Sequence, residues 1–177
     1  YGGLVSNCVV NGNAAGGLFN TVPFGPNNSV SGRGSMTISD SIISDNSGPG
    51  VKNYFFLTIL NCTLSGNSAG DAIDGGGIIS GTFKSPGGVT VINSTISGNS
   101  ASGGGGGIAI DYGGGLTVVN STISGNSAEG TGGGIASTGV VEISNSTISG
   151  NSAAVCGGVC GGIVRIGNTI LNANESG

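Results

Sequence analysis

Hydrophobic and polar positions along this chain fall into one pattern that recurs seven times. Take the first asparagine of the string N-S-T-I-S-G-N as a reference point. Its equivalents are Asn7, Asp40, Asn61, Asn93, Asn120, Asn145 and Asn168. Two positions before each stands a β-branched residue: Val5, Ile38, Ile59, Val91, Val118, Ile143 and Ile166. Four positions before come Gly3, Met36, Leu57, Val89, Leu116, Val141 and Val164, and three after come Val10, Ile43, Leu64, Ile96, Ile123, Ile148 and Leu171. Alternation with a period of two predicts short strands with these side chains on one face. The reference residues lie 33, 21, 32, 27, 25 and 23 residues apart. A fixed internal phase with a variable repeat length confines insertions to one or two corners of a stacked unit.

Polar positions mark the corners. Six residues after each reference position stands a second column, all asparagine: Asn13, Asn46, Asn67, Asn99, Asn126, Asn151 and Asn174. Asparagine tolerates the left-handed backbone of a tight corner, and stacked amides bond one another from coil to coil. Each unit is closed by a glycine run ending in an aliphatic residue, as GGGI at 75–78, 105–108 and 132–135. Shorter forms stand at Gly2-Gly3-Leu4, Gly16-Gly17-Leu18 and Gly161-Gly162-Ile163. Glycine permits sharp bends and close backbone approach, and the aliphatic residue starts another inward-facing strand. The prediction is an all-β fold: a right-handed parallel β-helix of about seven coils, with three short strands per coil and asparagine ladders at the corners. Residues 1–177 form a single domain, with insert loops at 19–35 and 79–88 leaving from one corner.

The pairing of GGGI with ISGNSA resembles the paired GGA-[ILV] and FxxN repeats of polymorphic outer-membrane proteins. More broadly it is similar to right-handed parallel β-helix surface proteins of the pectin-lyase-like fold. Ile or Leu stands here where that repeat has Phe. The resemblance implies a β-helical surface segment, and it specifies architecture more than activity.

Composition narrows the function classes. Only 7% of the residues are charged and 36% are hydrophobic, which predicts a folded chain rather than a charge-swollen tail. A net charge of −4 supplies no basic footprint, so nucleic acid is not expected as a partner. No apolar run approaches the length of a membrane span, and no cofactor is expected. The chain starts at Tyr1 without a signal-like segment, which predicts a processed product or a piece of a longer protein. Of the four cysteines, Cys156 and Cys160 have a C-x3-C spacing that suits a local disulfide in an oxidising compartment. Free buried thiols are the other reading, ahead of a metal site.

Candidate contacts lie at the ends and at the insert corner. Neither terminus carries a helix or charged run to cap the open sheet edges. Joining the end to the start gives NANESGYGGLVSN, which predicts a whole number of coils and head-to-tail stacking into a homopolymer. The expected assembly interface is Gly2, Gly3, Leu4, Val5 and Val10 at one end, and Arg165, Ile166, Ile170, Leu171 and Asn174 at the other. A contact strip for a partner or a surface glycan is expected from Phe19, Phe24, Arg33 and Tyr54, continuing through Phe83, Lys84 and Tyr112. The same residues also suit folding back over a flat face.

Other chemistry is thinner. Asp71 and Asp74 are weak calcium candidates, and solvated loop charges are the preferred reading. The remaining acids are scattered, whereas glycoside cleavage needs two facing carboxylates, so enzymatic activity is not expected. Asn27 is the best glycosylation candidate, because the other sequons fall on the corner asparagines. Outward Thr63, Thr95, Thr122 and Thr147 resemble the threonine ladders of ice-binding solenoids, and an ordinary polar sheet face explains them as well. The expected function is that of an extracellular or cell-surface structural or adhesive subunit. The alternative is a carbohydrate-active enzyme or carbohydrate-binding module of pectin-lyase type.

Overall fold

A computed structural model describes residues 2–20, 34–70, 75–81 and 87–177. Its strands stack into four sheets in which every pairing is parallel, and the chain visits them in fixed order as it winds. In one middle coil, Gly88–Ile92 belongs to the first sheet, Thr95–Ser97 to the second, Ser100–Ala101 to the third and Ile108–Ile110 to the fourth. The next coil repeats the circuit with Leu116–Val119, Thr122–Ser124, Ser127–Thr131 and Ile135–Ser137. Parallel pairing of consecutive coils, with the right-handed crossover that sheet twist imposes, makes the fold a right-handed parallel β-helix.

Register follows the sequence columns. Val91 pairs with Val118 and Ile59, Ile96 with Ile123 and Leu64, and Ile78 with Ile108 and Val51. Each aliphatic residue therefore sits on its counterpart in the neighbouring coil, and the core is a set of columns running up the axis. Ile38, Ile59, Val91 and Val118 are wholly buried, as are Ile43, Leu64, Ile96, Ile123 and Ile148. Burying an aliphatic side chain of this size is worth about 1.5–3 kcal/mol, so these columns are the main source of cohesion.

The third sheet, with five strands, is the smallest of the four. Its strands begin with the Ser-Ala pair after the second asparagine, and Ala69, Ala101, Ala128 and Ala153 turn inward there. Alanine fits because the corner leaves no room for a longer side chain. The glycine runs lie next to it, where neighbouring coils leave no room for a side chain: a Cβ on Gly107 would meet the Gly134 carbonyl oxygen at 2.6 Å. Their backbones bond directly from coil to coil, with the Gly107 N–H donating to Gly133 O at 3.0 Å and the Ile108 N–H to Gly134 O at 2.9 Å.

Two assignments from the glycine pattern are corrected. Gly2-Gly3-Leu4 and Ile163 lie in the first sheet, within Gly2–Ser6 and Ile163–Gly167, not in the GGGI sheet. Cys156-Gly157-Gly158-Val159 takes the GGGI place in the sixth coil, since Val159 pairs with Ile135. The seventh coil contributes Ile163–Gly167, Ile170–Asn172 and Glu175–Ser176 but no strand of the fourth sheet, which accordingly has six strands against seven in the first two. Among the described residues the third to sixth coils have all four strands, the first two lack a third-sheet strand and the seventh lacks a fourth-sheet strand, so the coils are not seven complete circuits.

The insert corner also differs in extent. Phe19 and Asn20 belong to the strand Leu18–Asn20, and Ile79 and Ser80 to Ile78–Ser80, so both connections begin later than 19 and 79. Each runs from the fourth sheet back to the first, re-entering at Ser35–Ser39 and Gly88–Ile92.

Candidate functional site: two open ends and a side groove

The corner chemistry governs what the ends of the helix expose. All seven reference residues adopt left-handed backbone, with φ from 44° to 53°, and all are solvent-exposed. The second asparagine column does not. There the positive φ falls one residue earlier, on Gly12, Asp45, Gly66, Gly98, Gly125, Gly150 and Ala173. Freed of that task, the second asparagine turns inward, and Asn67, Asn99, Asn126 and Asn151 are completely buried.

Buried amides must find partners, and these do. Asn126 Nδ2 donates to Asn151 Oδ1 at 2.9 Å and to Ile96 O at 3.0 Å, while the same Oδ1 also accepts the Asn126 backbone N–H at 3.0 Å. The unit repeats in every coil from Asn13 to Asn174. No buried side-chain nitrogen or oxygen among the described residues is left without a partner.

A second ladder, not read from the sequence, runs beside the first asparagine. The residue following it is Cys8, Ser41, Cys62, Ser94, Ser121, Ser146 or Thr169. Each of the serine hydroxyls donates back two residues, as from Ser121 Oγ to Val119 O at 2.7 Å. Each also accepts the N–H of the preceding coil, as from Ser94 at 3.1 Å. Only a small side chain with both donor and acceptor fits that column, and the recurring N-[SC]-T in the sequence was its signal. Cys62 is the buried thiol in this ladder, and burial pushes its pKa up.

At the ends these columns stop. Leu171 is 52% exposed although Ile123 and Ile148, at the same repeat position, are wholly buried. Val164, Ile166 and Ile170 are exposed at that end, together with Arg165, which forms a surface ion pair with Glu142 at 2.9 Å. At the other end Gly2, Gly3, Leu4 and Val9 are exposed, and Val5 and Val10 are half-buried. Both ends present the cross-section of the core.

A groove lies along the outer side of the fourth sheet, with a volume of about 640 Å³. Ala109, Ala136 and Cys160 form its floor, Gly104 and Thr131 one wall, and Asp111, Ser137 and Thr138 the other. Its size suits a small ligand or a few sugar rings. Tyr112, at φ 56° and 55% exposed, follows Asp111 in the chain. Asp111 is the one carboxylate in the lining among the described residues, so no acid pair faces across the groove. Cys156 and Cys160 are joined by a disulfide, with 5.5 Å between their Cα atoms, which staples the last strand of this sheet.

Of the strip expected along the insert corner, Phe19 is exposed in the fourth-sheet strand of the first coil, Tyr54 half-buried just after that of the second and Tyr112 exposed just after that of the fourth. Phe24, Arg33, Phe83, Lys84, Asp71, Asp74 and Asn27 lie outside the described residues. Among the described residues no group of three or more His, Cys, Asp or Glu could hold a metal, and no helix is long and apolar enough to cross a membrane. Compared with protein families, with curated proteins and with solved structures, the chain matches none.

Proposed function

We propose that this protein is an extracellular or cell-surface structural subunit that stacks end to end through its open coils, giving filaments or an adhesive surface array. The observation that carries this reading is that the core columns lie open at both ends, with Val5 and Val10 half-buried at one and Ile166 and Leu171 exposed at the other. Uncovered aliphatic cross-sections and unpaired strand edges favour association. The described first coil, 2–20, carries no charged side chain that would oppose it. The disulfide and the low charge suit an oxidising, extracellular setting. A likeness to β-helical surface proteins of the pectin-lyase-like and polymorphic outer-membrane type supports the same placement.

Electron microscopy of undenatured protein over a concentration series tests it. Seven strand spacings of about 4.8 Å give an axial repeat of roughly 34 Å per subunit. Filaments with that repeat are expected, and isolated short rods at every concentration would overturn the reading.

The groove favours a second reading, a binding site for a neutral glycan. Hydroxyls of Thr131, Ser137 and Thr138 and the Asp111 carboxylate line the groove, and the exposed Tyr112 follows Asp111 in the chain; such polar and aromatic groups are those that sugar recognition uses. With a single carboxylate in its lining it would bind rather than cleave. Glycan-array binding lost in Tyr112→Ala would support this role, and unchanged binding would remove the groove from it.

A further inference from the structure

The following rests on the stacking reading. We infer that the stack has one polarity and one register, both set at the subunit joint by continuation of the two corner ladders.

Inside the helix, one set of donors at the two corners points toward the following coil. The Asn145 N–H donates to Gly167 O at 3.1 Å and the Ser146 N–H to Thr169 Oγ1 at 3.4 Å. At the other corner the Gly150 N–H donates to Asn172 O at 3.1 Å, and both Asn151 N–H and Nδ2 donate to Asn174 Oδ1. Repeating the same steps beyond the seventh coil, that end presents the N–H groups of Asn168, Thr169, Ala173 and Asn174, and one hydrogen of Asn174 Nδ2. The first coil presents the matching acceptors: Ser6 O, Cys8 Sγ, Asn11 O and Asn13 Oδ1.

Traffic in the opposite direction is complementary as well. The Ile42 N–H donates to Cys8 O at 2.9 Å and the Ser47 N–H to Asn13 O at 2.8 Å. By the same rule the first-coil N–H groups of Val9 and Ala14 reach for the carbonyls of Thr169 and Asn174.

One arrangement of a second copy satisfies all of these groups: its Asn7 over Asn168, in the register of the internal coils. Ile166 then faces Val5, Leu171 faces Val10, and Val164 covers Gly3. A slip of one residue turns the aliphatic columns outward. A copy turned end for end sets Asn174 against Asn174, donor on donor, and leaves buried polar groups unpaired. Strands meet across the joint on two sides, because the seventh coil has no fourth-sheet strand and the first coil has no third-sheet strand. Asn13 and Asn174 are therefore the residues that choose orientation, and the aliphatic columns supply the adhesion.

Variants blocked at one end test this. Leu171→Asp places a carboxylate in the donor-end column at a side chain already half in water, and Val10→Asp does the same at the acceptor end. Each variant alone is expected to be monomeric in analytical ultracentrifugation. Mixed in equal amounts they should give a heterodimer that grows no further, because one intact donor end meets one intact acceptor end. Asn174→Asp keeps the acceptor for Asn151 but opposes carboxylate to Asn13 Oδ1, so it should shorten filaments at least tenfold in mean length with an unchanged circular dichroism spectrum. Dimers of either single-end variant by itself, or filament lengths unaffected by Asn174→Asp, would overturn the polarity while leaving stacking intact. A wild-type chain that forms no filament would overturn stacking itself.

Discussion

Ile123 and Leu171 occupy the same position of the same repeat, yet the first is sealed from water and the second is half in it. Ile143 at 2% exposure and Ile166 at 42% make the same contrast on the first sheet. Nothing local distinguishes the members of each pair; what differs is the presence of a coil on both sides. In this architecture a core position is made by its neighbours along the axis, and each end coil has half of its core missing. The middle is a finished protein interior, and the columns of the first and last coils described are covered on one side only.

That contrast predicts graded effects. Ile123→Ala should cost about 2–5 kcal/mol in denaturant unfolding because it opens a cavity in a continuous column. The same truncation at Leu171 should cost under about 1 kcal/mol in dilute protein, where half of that side chain is already hydrated. Equal losses would erase the distinction between middle and end. Asn126→Ala should cost about 3 kcal/mol or more, since it strands the buried Asn99 N–H and removes one hydrogen bond each from Asn99 Nδ2, Asn151 Oδ1 and Ile96 O. Asn120→Ala, at an exposed corner, should cost only about 1 kcal/mol from its left-handed backbone. Gly125→Ala belongs with it, at about 1–2 kcal/mol, because φ 61° and not crowding demands glycine there. Thiol labelling gives the smallest readout, with no stability change: exposed Cys8 should react readily in native protein. Cys62 should react only on unfolding, since burial holds its thiol protonated.

The columns of aliphatic residues made the winding legible before any coordinate was known, because a period of two and a constant phase leave few alternatives. The two asparagine columns were legible as corners but not in their division of labour. Both carry the same residue, and only the glycine before the second one, five times in seven, hints that it carries the left-handed backbone. The Ser-Ala sheet was too short to register as strand periodicity. Gly-Gly-Leu at 2–4 misled, since a glycine pair before an aliphatic residue occurs in the first sheet as well as the fourth. The groove depends on how three successive coils offset their loops, and no string in the sequence encodes that offset.

Hydrogen exchange read coil by coil, in dilute and in concentrated protein, tests most directly whether the ends are templates completed by stacking. Amides of the middle coils should be protected to the same degree in both. Those of Asn168, Thr169, Ala173 and Asn174 should exchange freely when dilute and become protected when concentrated, together with Val9 and Ala14 at the opposite end. End coils already as protected as the middle in dilute protein, or unprotected at every concentration, would contradict the account.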